Sequence, residues 1–184
     1  MSDNSARIPS SSQTVGPYFG IGLEYLVNRN PVPSIVPTAV IEIRGRVLDR
    51  DGLPVSDAML EFWNDVGARR LLDQKAAESS IPDGFRRVVT DEKGEFALTI
   101  ARPAGETTSA AHFLVLVFAR GLLRHLISRV YLGDEVRNKS DAVLLRVPPD
   151  RRATLIGRAD EEHPELYWWD VVLQGTNETV FFAW

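Results

Sequence analysis

From residue 39 onward, apolar and polar residues alternate along most of the chain. In VIEIRGRVLD, Ile41, Ile43, Gly45 and Val47 fall on one side and Glu42, Arg44 and Arg46 on the other, the period of a half-buried strand. The turn-rich DRDGLP follows, and AMLEFW reads as the return strand. FRRVVTD and EFALTI, joined by DEKG, read as a second hairpin with Phe96, Leu98 and Ile100 on one face. HFLVLVFA is apolar on both faces, which marks a central strand. HLISRVYL, YWWDVVLQG and TVFFAW supply further strands, with GTNET turning between the last two, and only 136–158 carries a helical hint. Short strands separated by turn residues predict an all-β sandwich.

Residues 1–38 break this pattern. Pro9, Pro17, Pro31, Pro33 and Pro37 remove backbone donors and fix φ, so the segment reads as an extended N-terminal arm. It also carries Tyr18, Phe19, Ile21, Leu23, Tyr25 and Leu26, more apolar surface than a solvated tail needs, which predicts that it docks. The expected organisation is an arm over 1–38 and a single β-sandwich domain over 39–184.

Composition narrows the chemistry. A chain of 184 residues, 44% hydrophobic and 25% charged, suits one soluble domain. The net charge of −4, with scattered basic residues, argues against nucleic acid as a partner. There is no cysteine, which removes disulfide frameworks and zinc–thiolate sites. MSDNSARIPSSSQ has no apolar signal core, and no run approaches the ~20 apolar residues of a membrane span, so no membrane and a cytoplasmic location are expected. Walker loops, GxSxG elbows and HExxH are absent. His112, His125 and His163 stand apart, none with a second histidine at i+2 or i+4.

Five stretches together say more. SSQTVGPYF, RVLDRDGLPVSDAMLEFWND, RVVTDEKGEFALTIARPAG, AAHFLVLVFARG and YWWDVVLQGTNETVFF resemble the intradiol ring-cleaving dioxygenases, in that family's order and spacing from about residue 10 onward. The resemblance implies a two-sheet β-sandwich of the intradiol type, with an extended arm and a few short loop helices. Catalytic chains of the family hold Fe(III) through two tyrosines and two histidines, a hard-cation donor set. The histidine pair lies at i and i+2 of one strand, where period 2 puts both rings on one face. Here His112 takes the first position, and Leu114, which has no lone pair, takes the second. The tyrosine expected about eight positions after Trp63 is Leu71, and RPAGETTSAAH contains no tyrosine for the other. The expectation is no metal and no catalytic residue in this chain, with His112 a relic or core residue.

Ligand loss on a retained scaffold resembles the non-catalytic alpha chain of a heteromeric family member. In such an enzyme a beta subunit of the same fold holds the Fe(III), and the two assemble into a larger symmetric hetero-oligomer. The implied substrates are O2 and a small aromatic acid, 3,4-dihydroxybenzoate. By motif match, the residues this chain contributes to the partner's pocket are Thr14, Gly16, Pro17 and Tyr18 of QTVGPY and Arg120 of FARG. GPY is equally a tight turn, but one rigid enough to present an amide or phenol to a neighbour. The planar, permanently charged guanidinium of Arg120 suits an anionic acid. In Tyr167-Trp168-Trp169, alternation exposes one tryptophan face, which suits an interface, and TVFFAW adds to it. The rival expectation is a stand-alone β-sandwich interaction module that kept the fold and lost the enzyme.

Overall fold

A computed structural model describes residues 39–64, 84–105 and 109–183, so the expectations for the arm lie outside the described residues. The strands are β1 (Val40–Leu48), β2 (Met59–Trp63), β3 (Phe85–Val89), β4 (Glu95–Ala101), β5 (His112–Phe118), β6 (Leu126–Leu132), β7 (Ile156–Ala159), β8 (Leu166–Trp168) and β9 (Val171–Val172). They pair in the order β3-β2-β5-β6-β7-β8-β1-β4, with β9 beside β1. The path is continuous and curls back on itself, with β7 passing the sheet from one half to the other. The parallel pairs β6–β7 and β1–β8 flank the antiparallel pair β7–β8 at that crossing.

The core lies between the halves, where the period-2 positions place it. Ile41, Ile43 and Val47 from β1 and Phe96, Leu98 and Ile100 from β4 face Leu60 and Phe62 from β2 and Phe113, Val115 and Val117 from β5. Phe62 is the hub, with its ring 6.0 Å from Phe96, 6.2 Å from Phe113 and 6.2 Å from Trp169. Edge-on and tilted pairs of this kind add to the area they bury. β5 is central, between β2 and β6, as its apolar faces predict.

Two expected hairpins turn out differently. β2 pairs with β3 and β5, and β1 pairs with β4, so AMLEFW is not the return strand of β1. β3 and β4 likewise lie at opposite ends of the strand order. Each connection is an arch between the halves rather than an in-plane hairpin. The DEKG turn is tight, with Asp91 N donating to Glu95 O at 3.0 Å, but that single bond does not extend into a ladder. The edge of β4 away from β1, which pairs with no other described strand, is blunted by side chains from the other half: Arg86 Nε reaches Thr99 O at 2.9 Å and Asn64 Nδ2 reaches Ala101 O at 3.3 Å.

Gly45 stands mid-strand because a Cβ there would lie 1.8 Å from Trp169 O, at the break between β8 and β9. YWWDVVLQG is therefore two short strands. TVFFAW forms no ladder over 179–183, although Phe182 N donates to Ile127 O at 2.7 Å. The helical hint over 136–158 becomes three single-turn 3-10 helices, Val136–Lys139, Leu144–Arg146 and Arg152–Leu155. Among the described residues no helix is long and apolar enough to cross a membrane.

Candidate functional site

The face of β5 that would carry a histidine pair bears His112, Leu114, Leu116 and Phe118, all half-buried. His112 Nδ1 lies 2.8 Å from Ala110 O. A carbonyl only accepts, so the proton sits on Nδ1. The ring leans on Tyr131, with centroids 5.1 Å apart. Leu114 lies beside Trp63 of β2 and Arg129 of β6 in register. One imidazole next to an aliphatic side chain does not fit a trivalent cation. No cluster of three or more His, Cys, Asp or Glu that could hold a metal is found among the described residues. Leu71 lies outside them.

Three buried or half-buried charged residues lie around this region: Glu61, Arg87 and Asp141. On the same outer face, Glu61 of β2 is only 8% exposed and forms an ion pair with Arg87 of β3. Trp63 Nε1 also donates to Glu61, at 3.3 Å, while Arg87 Nη1 has no hydrogen-bond partner among the described residues. Against the segment that enters β5, Asp141, which follows the Val136–Lys139 helix, is 2% exposed and acts as a polar knot. It accepts from the amides of Ala110 at 3.0 Å, Val143 at 3.0 Å and Leu144 at 2.8 Å, from Tyr131 Oη at 3.0 Å, and from Ser109 Oγ at 3.3 Å. Burial pushes the Asp141 carboxyl up. The amides of Leu144 and Ala110, the Tyr131 hydroxyl and the Val143 amide outweigh it, and the net shift is downward. Burial also pushes the Tyr131 phenol up to about 12, so it stays a neutral donor. Neither Asp141 nor the Glu61–Arg87 pair was foreseen from sequence. An acidic residue opening a helical turn in DAVLL was the available signal for the first.

Arg120 sits at the other end of β5, about 25 Å from His112 at the rise of a strand. The structure therefore does not bring these two together within one chain. Arg120 is exposed, and its Nη2 meets Asp57 Oδ2 at 2.7 Å. The β2–β5 register, Met59 opposite Phe118, brings Asp57 opposite Arg120 when extended by two residues. Asp57 has φ +62°, the only positive φ of a non-glycine residue among those described. A residue with a Cβ in that region costs roughly 1 kcal/mol, and Asp tolerates it better than most. The loop is clamped by buried Thr90, whose hydroxyl accepts from Ala58 N at 2.9 Å and donates to Val55 O at 2.8 Å. Thr14, Gly16, Pro17 and Tyr18 lie outside the described residues.

The aromatic run divides as alternation requires: Tyr167 and Trp169 are buried and Trp168 is 39% exposed. Trp168 stands between Arg44 of β1 and Arg158 of β7 in register, along an open groove of about 1030 Å³. Arg44 is paired with Glu42 at 2.6 Å and Arg46 with Asp170 at 3.3 Å, so the groove offers little net positive charge.

The curled β-sheet defines a fold class, and comparison with known proteins places the chain within it. The family model described as Dioxygenase matches residues 26–175. The protocatechuate 3,4-dioxygenase alpha chain of Burkholderia cepacia is 42% identical over 188 residues, covering 93% of this chain and 95% of that one. The protocatechuate 3,4-dioxygenase beta chain of the same organism is 28% identical over 174 residues, covering 85% and 74%. The fold also resembles the dioxygenase domain of a dioxygenase–carbohydrate-binding protein fusion from Streptomyces sp. SirexAA-E, with a TM-score of 0.57 and 24% identity over 92% of this chain and 100% of that one. The chain belongs to the intradiol ring-cleaving dioxygenase family. Of the two chain types, it is more similar to the alpha chain.

Proposed function

We propose that the protein is the alpha subunit of a protocatechuate 3,4-dioxygenase, completing the active site of a ferric beta subunit. The observation that carries this reading is Leu114, on the ligand face of β5 beside His112, in a chain that matches alpha chains over most of its length. The reaction breaks the bond between the two hydroxyl-bearing carbons of 3,4-dihydroxybenzoate and leaves one atom of O2 on each, giving 3-carboxy-cis,cis-muconate. Fe(III) in the partner supplies Lewis-acid activation of the catecholate. This chain supplies pocket walls and charge. The arm, 1–38, docks across the heterodimer and offers Thr14, Gly16, Pro17 and Tyr18. Arg120 offers a cation to the substrate carboxylate. Its distance from His112 supports action on another subunit's pocket, because His112, which the family resemblance puts at a ligand position, stands at the far end of β5. The exposed Trp168 suits contact within a higher symmetric hetero-oligomer, and the enzyme is cytoplasmic.

Kinetics of the reconstituted heteromer test the two contributions separately. Arg120→Ala is expected to lower kcat/KM about tenfold to a hundredfold, the value of a charge-assisted hydrogen bond of ~1.5–3 kcal/mol, without dissociating the subunits. Unchanged kinetics would remove Arg120 from the pocket. Deleting residues 1–20 is expected to depress turnover far more than thermal stability. Activity that survives the deletion would refute the arm's role.

A further inference from the structure

We infer that Asp57 is a positioning residue for Arg120, fixing the direction in which its guanidinium is presented to the partner's pocket. The inference rests on the reading that Arg120 meets the substrate carboxylate there. Three observations converge on Asp57. The β2–β5 register brings it opposite Arg120 one step beyond the buried Ala58 and Ala119. Its backbone is held at φ +62°, a conformation that L-residues adopt rarely. Its loop is pinned at both ends by a single hydroxyl, that of buried Thr90, through Ala58 N and Val55 O.

Stability does not account for this arrangement. The Arg120 side chain is 61% exposed, and a solvent-exposed ion pair contributes little to folding. The pair therefore does not repay a disfavoured backbone conformation on its own account, and strained positions of this kind gather where geometry matters for function. What the pair does provide is direction. The closest approach of the pair is Nη2 to Oδ2, and a guanidinium carries five donors on its planar fork, so others can take a second carboxylate. A long cationic side chain otherwise samples many rotamers. Holding it in one removes that entropy before the substrate arrives.

The test uses the co-expressed heteromer, with Asp57→Asn, Arg120→Ala and the double variant. Asparagine tolerates the same left-handed backbone, so Asp57→Asn removes charge and leaves the loop. Two probes are compared: 3,4-dihydroxybenzoate, and catechol, which lacks the carboxylate. Asp57→Asn is expected to lower the preference in kcat/KM for the acid over catechol about three- to tenfold, with subunit stoichiometry and Tm unchanged. In the Arg120→Ala background it is expected to add nothing. If Arg120→Ala lowers the preference and Asp57→Asn does not, the positioning role is overturned and the reading of Arg120 stands. If neither variant changes the preference, that reading falls and the inference with it. Equal losses on both probes together with a lower Tm would make Asp57 merely structural and overturn the inference.

Discussion

Asp141→Ala should be among the most damaging single substitutions in this chain, lowering stability by about 4 kcal/mol. The carboxylate gathers three backbone amides, a tyrosine hydroxyl and a serine hydroxyl in a site 2% exposed. Each buried donor left without an acceptor costs roughly 1–3 kcal/mol, and the alanine supplies none. The same knot sets an acid limit. The folded-state pKa of Asp141 is lowered, so its contribution is complete above the unfolded value near 4 and is lost as pH falls through the lower folded value. Denaturant titrations of wild type, Asp141→Ala and Asp141→Asn between neutral and acid pH check both points. Wild type should lose stability steeply at the acid end, and Asp141→Asn less steeply from a lower starting value. Parallel curves would remove Asp141 as the source.

Glu61→Ala should cost about 3–5 kcal/mol, because it strands Arg87 in a region where the guanidinium is already short of partners. The physical point is the asymmetry between breaking a buried pair and replacing it. Glu61→Leu combined with Arg87→Met should recover most of the loss, since an apolar pair of similar volume carries no desolvation cost. Chemical denaturation of the two variants decides it. A double variant as unstable as Glu61→Ala would show that shape, not charge, matters there.

Much of the fold was legible because burial follows a period of two. The inward faces of β1, β4 and β5, and the exposure of Trp168 between buried Tyr167 and Trp169, follow from alternation alone. Strand partnership did not follow. DRDGLP and DEKG announce reversals, but a reversal within a sheet and an arch between halves use the same turn residues. What separates them is long-range: β1 is held by β4, β8 and β9, and local sequence does not encode that choice. That His112 and Leu114 share one face of β5 was legible because it needs only residue identity at i and i+2. Asp141, the Glu61–Arg87 pair and the Asp57–Arg120 pair were not, since each depends on segments brought together by the fold. Asp57 could have been reached by extending the β2–β5 register, had that pairing been known.

Purification of this chain alone and together with a ferric beta-type partner, followed by iron analysis and absorption spectroscopy, bears most directly on the central claim that the reactive centre is borrowed. The isolated chain should be colourless and iron-free. The mixture should co-purify as a stable, burgundy, active complex whose iron content matches the beta-type chain. Iron held by the isolated chain, or a colourless monomer that ignores the partner, would contradict the claim.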